Sequence, residues 1–153
     1  MSSHILILFG ATGDLVSRMV LPALFHLFET ERLPKSFKIL CFSRRDLSSD
    51  DFKELVEKAV IDHMEINDDI APGFLDSFEY QQGDFTNVRD YDRLHERITI
   101  IDQVHNSCSN KLFHLAVPPE HYIEILDNLS SSKLNKTCAA MDTWTRILVE
   151  KPY

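Results

Sequence analysis

The feature that most constrains this chain is its opening. A continuous apolar run at residues 4–9 meets Gly10-Ala11-Thr12-Gly13-Asp14-Leu15, and apolar residues at helical spacing follow. A short apolar run bounded by glycine suits a strand buried on both faces of a parallel sheet. Downstream, Leu15, Met19, Ala23 and Leu27 recur every four residues, with Val16, Val20, Leu24 and Phe28 beside them, which predicts a helix. Proline is best tolerated in a first helical turn. Pro22 therefore predicts a short turn after Gly13, then a main helix starting near Pro22 and ending by Pro34.

The remaining chain alternates in the same way. Residues 37–42 read as a second strand. Ser48 with Asp51 reads as a capping pair before Phe52, Leu55, Val56, Ala59 and Val60. Residues 61–75 are polar and irregular, with a turn at Pro72-Gly73. Residues 78–82 make a weak third strand, and Val88, Tyr91, Leu94, Ile98 and Ile101 a helix. Residues 111–117 read as a fourth strand, 119–129 as a helix, 130–142 as a polar connection and 146–150 as a last strand. Strands alternating with helices imply an α/β fold, a Rossmann-like doubly wound parallel sheet with right-handed crossovers. The expected organisation is one domain over residues 1–153. No covering helix follows the last strand, so the reading expects a truncated chain or an isolated domain, with an apolar surface left uncovered near residues 146–150.

Charge and composition remove several classes. The formal net charge of −8 repels nucleic acid and acidic lipid. No apolar run reaches membrane-spanning length, and the first residues lack the pattern of a signal peptide. Cys41, Cys108 and Cys138 are odd in number, widely spaced and without Cys-x-x-Cys, and they read as reduced thiols in a cytoplasmic chain. The seven histidines show no His-Glu-x-x-His spacing, so no metal site is expected.

The chemistry gathers at two strand ends. At Gly10 to Leu15 the backbone must turn sharply, and its N–H groups must approach a pyrophosphate with no side chain between. The following helix end adds about half a positive charge. Thr12 offers a hydroxyl donor, whereas the Asp14 carboxylate would repel phosphate and is expected to cap backbone N–H groups. Gly-x-x-Gly alone is ordinarily just a turn; its place between a buried strand and an amphipathic helix gives it meaning. The second strand ends in Ser43-Arg44-Arg45, with no carboxylate before Asp46. A NAD site places Asp or Glu there for the ribose hydroxyls. Here a ribose phosphate would meet a hydroxyl and two guanidinium groups, whose planar forks suit it. An arginine pair is usually a solvated surface feature, but this location turns the reading toward NADP.

These residues are similar to a known family. Phe9-Gly10-Ala11-Thr12-Gly13-Asp14-Leu15 with Leu21-Pro22-Ala23-Leu24 resembles the opening signature of glucose-6-phosphate dehydrogenases. Leu115-Ala116-Val117-Pro118-Pro119 with Tyr122 resembles the family's fourth-strand segment, and the stretch from Arg146 through Glu150-Lys151-Pro152-Tyr153 resembles its Glu-Lys-Pro-Phe segment. The resemblance implies oxidation of glucose 6-phosphate at C1 to 6-phosphoglucono-lactone, the first oxidative step of the pentose phosphate pathway, with hydride passing to NADP. It implies cofactor contacts at Gly10, Ala11, Thr12, Gly13, Asp14, Leu15, Ser17, Ser43, Arg44, Arg45, Ala116, Pro118, Tyr122 and Lys151. Arg44 matches the family's arginine for the adenosine 2′-phosphate, and Lys151 the lysine that touches both substrate and cofactor. Pro152 matches a proline the family can hold cis.

The family's catalytic histidine lies in a His-Tyr-Leu-Gly-Lys stretch beyond the dinucleotide domain. None occurs here, so no catalytic residue is assigned to this chain; His114 reads as a hydrogen-bonded interior residue. The implied partners are glucose 6-phosphate, bound with a carboxy-terminal substrate and dimerisation domain, and a second copy of the full-length protein. Two departures stand out: Met19 replaces a basic residue that meets the cofactor phosphates, leaving Arg18 as the nearby cation, and Tyr153 replaces phenylalanine. The alternatives are an isolated nucleotide-binding module or another NADP-dependent sugar oxidoreductase. Short-chain enzymes need Tyr-x-x-x-Lys, and the glucose–fructose oxidoreductase type keeps Gly-x-Gly; neither pattern is present.

Overall fold

The computed structural model describes residues 3–65 and 72–151. Pro152 and Tyr153, and residues 66–71 of the expected irregular stretch, lie outside the described residues.

Five strands form one sheet in the order β3-β2-β1-β4-β5. They are β1 (Ser3–Phe9), β2 (Phe37–Ser43), β3 (Phe78–Gln82), β4 (Ser109–Leu115) and β5 (Thr145–Val149). All four pairings are parallel. The chain runs outward from β1 through β2 to β3, then returns to the other side of β1 for β4 and β5. That reversal puts a crevice beyond the carboxyl ends of β1 and β4, where ligands bind in open α/β sheets.

The opening run is buried on both faces, as its composition requires. Leu6 and Leu8 join Ile39, Cys41, Val56 and Phe78 in one core cluster. Ile5, Ile7 and Phe9 join Leu40, Phe42, Tyr91, Phe113 and Leu115 in the other. The two clusters lie on opposite faces because successive strand side chains alternate. The first is covered by α1 (Leu21–Glu29) and α2 (Ser49–His63), the second by α4 (Val88–Val104) and α5 (Tyr122–Ser131). Phe9 is fully buried among Phe42, Phe85, Tyr91 and Phe113. Truncating such a side chain costs about 3–5 kcal/mol.

Local sequence explains most helix boundaries. Ser48 Oγ accepts from Asp51 N–H at 3.0 Å, and Asp51 Oδ2 accepts from Ser48 N–H at 3.3 Å, the expected reciprocal cap. The first helix departs from expectation. The main helix α1 does start at Leu21, beside Pro22 as expected, but it is not a separate element: a π-helical turn, Val16–Val20, feeds directly into it, and Leu21 N–H reaches back to Val16 O. Pro22 supplies no N–H, and its ring crowds the carbonyl four residues earlier, so a wider turn relieves both problems. Pro72-Gly73 opens a short helix, α3 (Pro72–Leu75), rather than a plain turn, and α2 runs to His63. A 3₁₀ turn, Pro119–His121, precedes α5, and β4 starts two residues before the predicted strand.

The cysteine reading is corrected. Cys108 and Cys138 form a disulfide, with Cα atoms 6.1 Å apart. Their sequence separation hid this, because the start of β4 and the connection into β5 come together only through the sheet pairing. Cys41 is the free, buried cysteine, and burial raises its thiol pKa. At the sheet edge, β5 leaves Ile147, Leu148 and Val149 37–44% exposed, the apolar surface the sequence predicts there.

Candidate functional site

The first strand ends in a turn that only glycine can make. Gly10 has φ 77°, and a Cβ there would stand 2.3 Å from Ala116 O, a backbone atom that cannot swing away. Gly10 therefore brings the turn against the end of β4. Gly10 and Ala11 N–H donate to Phe42 O at 3.1 and 3.4 Å, and Gly13 N–H to Gly10 O at 2.9 Å. Ser17 N–H donates to Gly13 O, and its hydroxyl to Asp14 O. The Thr12 and Asp14 amides enter no hydrogen bond within the described residues. Two free amides at the start of a helix make an anion-binding concavity.

Two expectations about this turn change. The Asp14 carboxylate does not cap the backbone; Oδ2 accepts from Arg18 Nη1 at 3.3 Å. Arg18, the cation next to Met19 in the chain, is thus already paired. The pair is exposed, and such pairs contribute about 0–1 kcal/mol, so a phosphate can compete for Arg18. Leu15 and Met19 are exposed beside it.

The end of β2 is tied to this turn by hydroxyls. Thr12 Oγ1 lies 3.1 Å from Ser43 Oγ, which lies 2.9 Å from Tyr80 Oη. Tyr80 donates to Arg45 O at 2.5 Å. Burial raises the Tyr80 pKa, so the phenol stays protonated. With that one proton directed at Arg45 O, Ser43 donates to Tyr80 and Thr12 donates to Ser43. The hydroxyls of Thr12 and the buried Ser43 are therefore engaged with each other here, joining β1, β2 and β3, rather than held free for phosphate.

Arg44 and Arg45 are both exposed. Within the described residues the Arg44 guanidinium forms no hydrogen bond or ion pair; its carbonyl accepts from Gln82 Nε2 at 3.2 Å. It lines a cavity of about 330 Å³ with Gln82, Gly83, Asp84, Asp90 and Arg93. This wall was not read from the sequence, although Gly83-Asp84 at the close of the third strand was its visible sign. Asp90 accepts from Asp84 N–H at 2.8 Å and pairs with Arg93. Asp84 is held below the usual carboxylate range, first by the Thr86 backbone and hydroxyl bonds and also by the Arg44 charge. A larger recess, about 690 Å³ between Phe28 and Lys35, lies at the opposite edge of the sheet, where parallel sheets do not place nucleotides.

The ends of β4 and β5 complete the edge. Ala116 N–H donates to Phe9 O at 3.1 Å, continuing the ladder beneath the turn. Pro118 is exposed and starts the turn into α5. The Tyr122 hydroxyl reaches the backbone of Glu150, the residue before exposed Lys151. His114 is an interior, hydrogen-bonded residue as expected, and its partner, missed in the sequence, is Glu150 at 2.6 Å. The predicted residues of the turn, of Ser43 to Arg45, of Ala116 to Tyr122 and Lys151 thus all follow strands at one carboxyl edge. Among the described residues, no group of three or more His, Cys, Asp or Glu is placed to hold a metal ion, and no helix is long and apolar enough to cross a membrane.

Comparison with known proteins gives a consistent result. The family described as "Glucose-6-phosphate dehydrogenase, NAD binding domain" matches residues 7–153. A glucose-6-phosphate 1-dehydrogenase of Chlamydia pneumoniae is 34% identical over 152 residues, covering 97% of this chain and 30% of its own length. A glucose-6-phosphate 1-dehydrogenase 2 of Mycobacterium tuberculosis is 31% identical over 154 residues, covering 97% of this chain and 29% of its own length. Among solved structures, a glucose-6-phosphate dehydrogenase in complex with its substrate glucose-6-phosphate superposes with a TM-score of 0.82 at 26% identity, over 99% of this chain and 31% of that one. The glucose-6-phosphate 1-dehydrogenase of Mycobacterium avium gives a TM-score of 0.79 at 28% identity, over 99% of this chain and 30% of its own. The chain therefore spans about a third of the length of the relatives it matches.

Proposed function

Because the chain belongs to the glucose-6-phosphate dehydrogenase family, as its NAD binding domain, we propose that it forms the NADP-binding part of an enzyme oxidising glucose 6-phosphate to 6-phosphoglucono-lactone. That reaction is the first oxidative step of the pentose phosphate pathway. The observation that carries the cofactor choice is the end of β2: an exposed Arg44 guanidinium, unpartnered among the described residues, stands where a NAD site would have a carboxylate.

The residues fit a dinucleotide. A Cβ at Gly10 would fill the space against Ala116, and the Thr12 and Asp14 amides make no hydrogen bond among the described residues. In this reading the Gly10 to Ser17 turn holds the pyrophosphate, and Arg44, with Arg45 behind it, holds the adenosine 2′-phosphate. Ala116, Pro118 and Tyr122 flank the cofactor from the β4 side. Bound NADP would accept the hydride leaving C1 of the sugar. Lys151 orients the sugar and stabilises charge near the reacting hydroxyl. The proton leaves through a base that this chain does not supply, so the chain by itself binds cofactor and turns nothing over.

A cytoplasmic setting, self-association of the whole protein, and no partnership with nucleic acid or membrane belong to the same proposal. Thiol alkylation of protein taken from cells tests the setting, since a persistent Cys108–Cys138 bond argues against a reducing compartment. The main test is NADP reduction with glucose 6-phosphate, measured for the whole protein that carries this chain and for the chain alone. The expected result is turnover by the first and none by the second. A whole protein inert toward glucose 6-phosphate but active on another sugar sinks the assignment.

A further inference from the structure

Glu150 is gripped from both faces of the sheet. His114 sits in β4 on the face that carries Leu112 and Ala116, and its side chain is 7% exposed. The register pairs His114 with Leu148, which puts Glu150, two residues on, over the same face. His114 Nε2 meets Glu150 Oε1 at 2.6 Å. Tyr122 packs against the opposite core cluster. Its hydroxyl donates to Glu150 O at 3.1 Å and accepts from Glu150 N–H at 3.3 Å. Three contacts therefore fix the residue just before Lys151, and none of them belongs to the strand ladder.

The position needs such help. Within the described sheet β5 pairs only with β4, and its apolar side chains are partly exposed. An edge strand with few buried contacts opens locally at small cost. A one-ångström displacement of a group that orients substrate can cost on the order of a hundredfold in rate.

We propose that His114 and Tyr122 are positioning residues for Lys151, locking Glu150 at the end of β5 and so setting the lysine for the sugar substrate. The inference rests on the reading of Lys151 as a substrate-binding residue. His114 acts through Glu150 and touches neither sugar nor cofactor. A neutral imidazole with its proton on Nε2 is enough to donate to the carboxylate.

The test compares His114→Leu, His114→Gln, Tyr122→Phe and Lys151→Ala in the whole protein. It measures kcat and KM for glucose 6-phosphate, NADP affinity by direct titration, and melting temperature. His114→Leu and Tyr122→Phe should each lose about ten- to a hundredfold in kcat/KM for the sugar. NADP affinity of His114→Leu should stay within about twofold, because the phosphate-binding turn and Arg44 are untouched. His114→Gln keeps an N–H donor at similar reach and should restore most of the loss. If His114→Leu fails to fold, Tyr122→Phe carries the comparison through its sugar kinetics at saturating NADP, since Tyr122 also flanks the cofactor, and His114→Gln is then expected near wild type. Normal sugar kinetics in both clamp variants alongside a damaged Lys151→Ala overturns the inference alone. Normal kinetics in Lys151→Ala overturns the underlying reading with it. Equal losses of sugar kinetics and NADP affinity in His114→Leu, or no rescue by Gln, show a merely structural role and also overturn it.

Discussion

Arg44→Ala isolates the choice of cofactor. The guanidinium has no partner among the described residues, and the hydrogen bond from the Gln82 side-chain amide to the Arg44 carbonyl survives the substitution. Because the Gln82 side-chain bond goes to the Arg44 backbone carbonyl, the folded state loses little, within about 0.5 kcal/mol for an exposed site of this kind. A charge-assisted hydrogen bond to phosphate contributes about 1.5–3 kcal/mol. Its loss should weaken NADP binding about ten- to a hundredfold. NAD has no 2′-phosphate, so its affinity should hardly move. The assay is calorimetric or fluorescence titration of both nucleotides against wild type and variant, at low and at physiological salt. The NADP penalty should shrink at the higher salt, because the site is exposed and screened. Arg45→Ala should cost less. Equal losses for NADP and NAD would mean that Arg44 supports the fold. No loss for either would make Arg44 a solvated surface residue and send the preference elsewhere, with Arg93 across the cavity the next candidate.

Three other substitutions test the surroundings. Gly10→Ala meets both a φ of 77° and the Ala116 carbonyl at 2.3 Å; urea unfolding should show a loss of about 2–4 kcal/mol, and a loss below about 1 kcal/mol would contradict the steric argument. Asp84→Asn keeps an oxygen for the Thr86 N–H but removes a negative charge beside Arg44, so NADP should bind a few-fold tighter with NAD unchanged, an effect on the order of 1 kcal/mol. The lowered Asp84 pKa means its contribution to stability is present above the ordinary Asp value of about 3.9 and is lost as pH falls through the depressed one. The variant should therefore show a flatter acid limb in stability against pH, and an unchanged limb would count against the assignment. Tyr91→Phe removes a buried hydroxyl that donates to Phe85 O at 2.9 Å. That carbonyl keeps the Asn128 Nδ2 donor at 2.8 Å, so chemical denaturation should show a loss near 1 kcal/mol rather than the larger cost of an orphaned group.

Local pattern carried the architecture. The unbroken apolar run before Gly10 required a strand buried on both faces, and the alternating helix periods required parallel pairing; the sheet has that form. The Ser48 cap, the helix through Ile98 and the glycine turn were legible because each depends on residues within a few positions of one another. So did the bare fact that Ser43-Arg44-Arg45 closes a strand without a carboxylate. What the sequence left open depends on which strands lie side by side. Cys108 meets Cys138, and His114 meets Glu150, only because β5 docks in register on β4. Thr12 and Ser43 turned to each other because β2 lies beside β1, whereas the Asp14–Arg18 pair is a local contact four residues apart. The Arg44 cavity exists because the loop after β3 folds beside the end of β2, a neighbour distant in sequence. Periodicity encodes which face of an element is buried; only the assembled sheet decides which side chains from distant segments share that face.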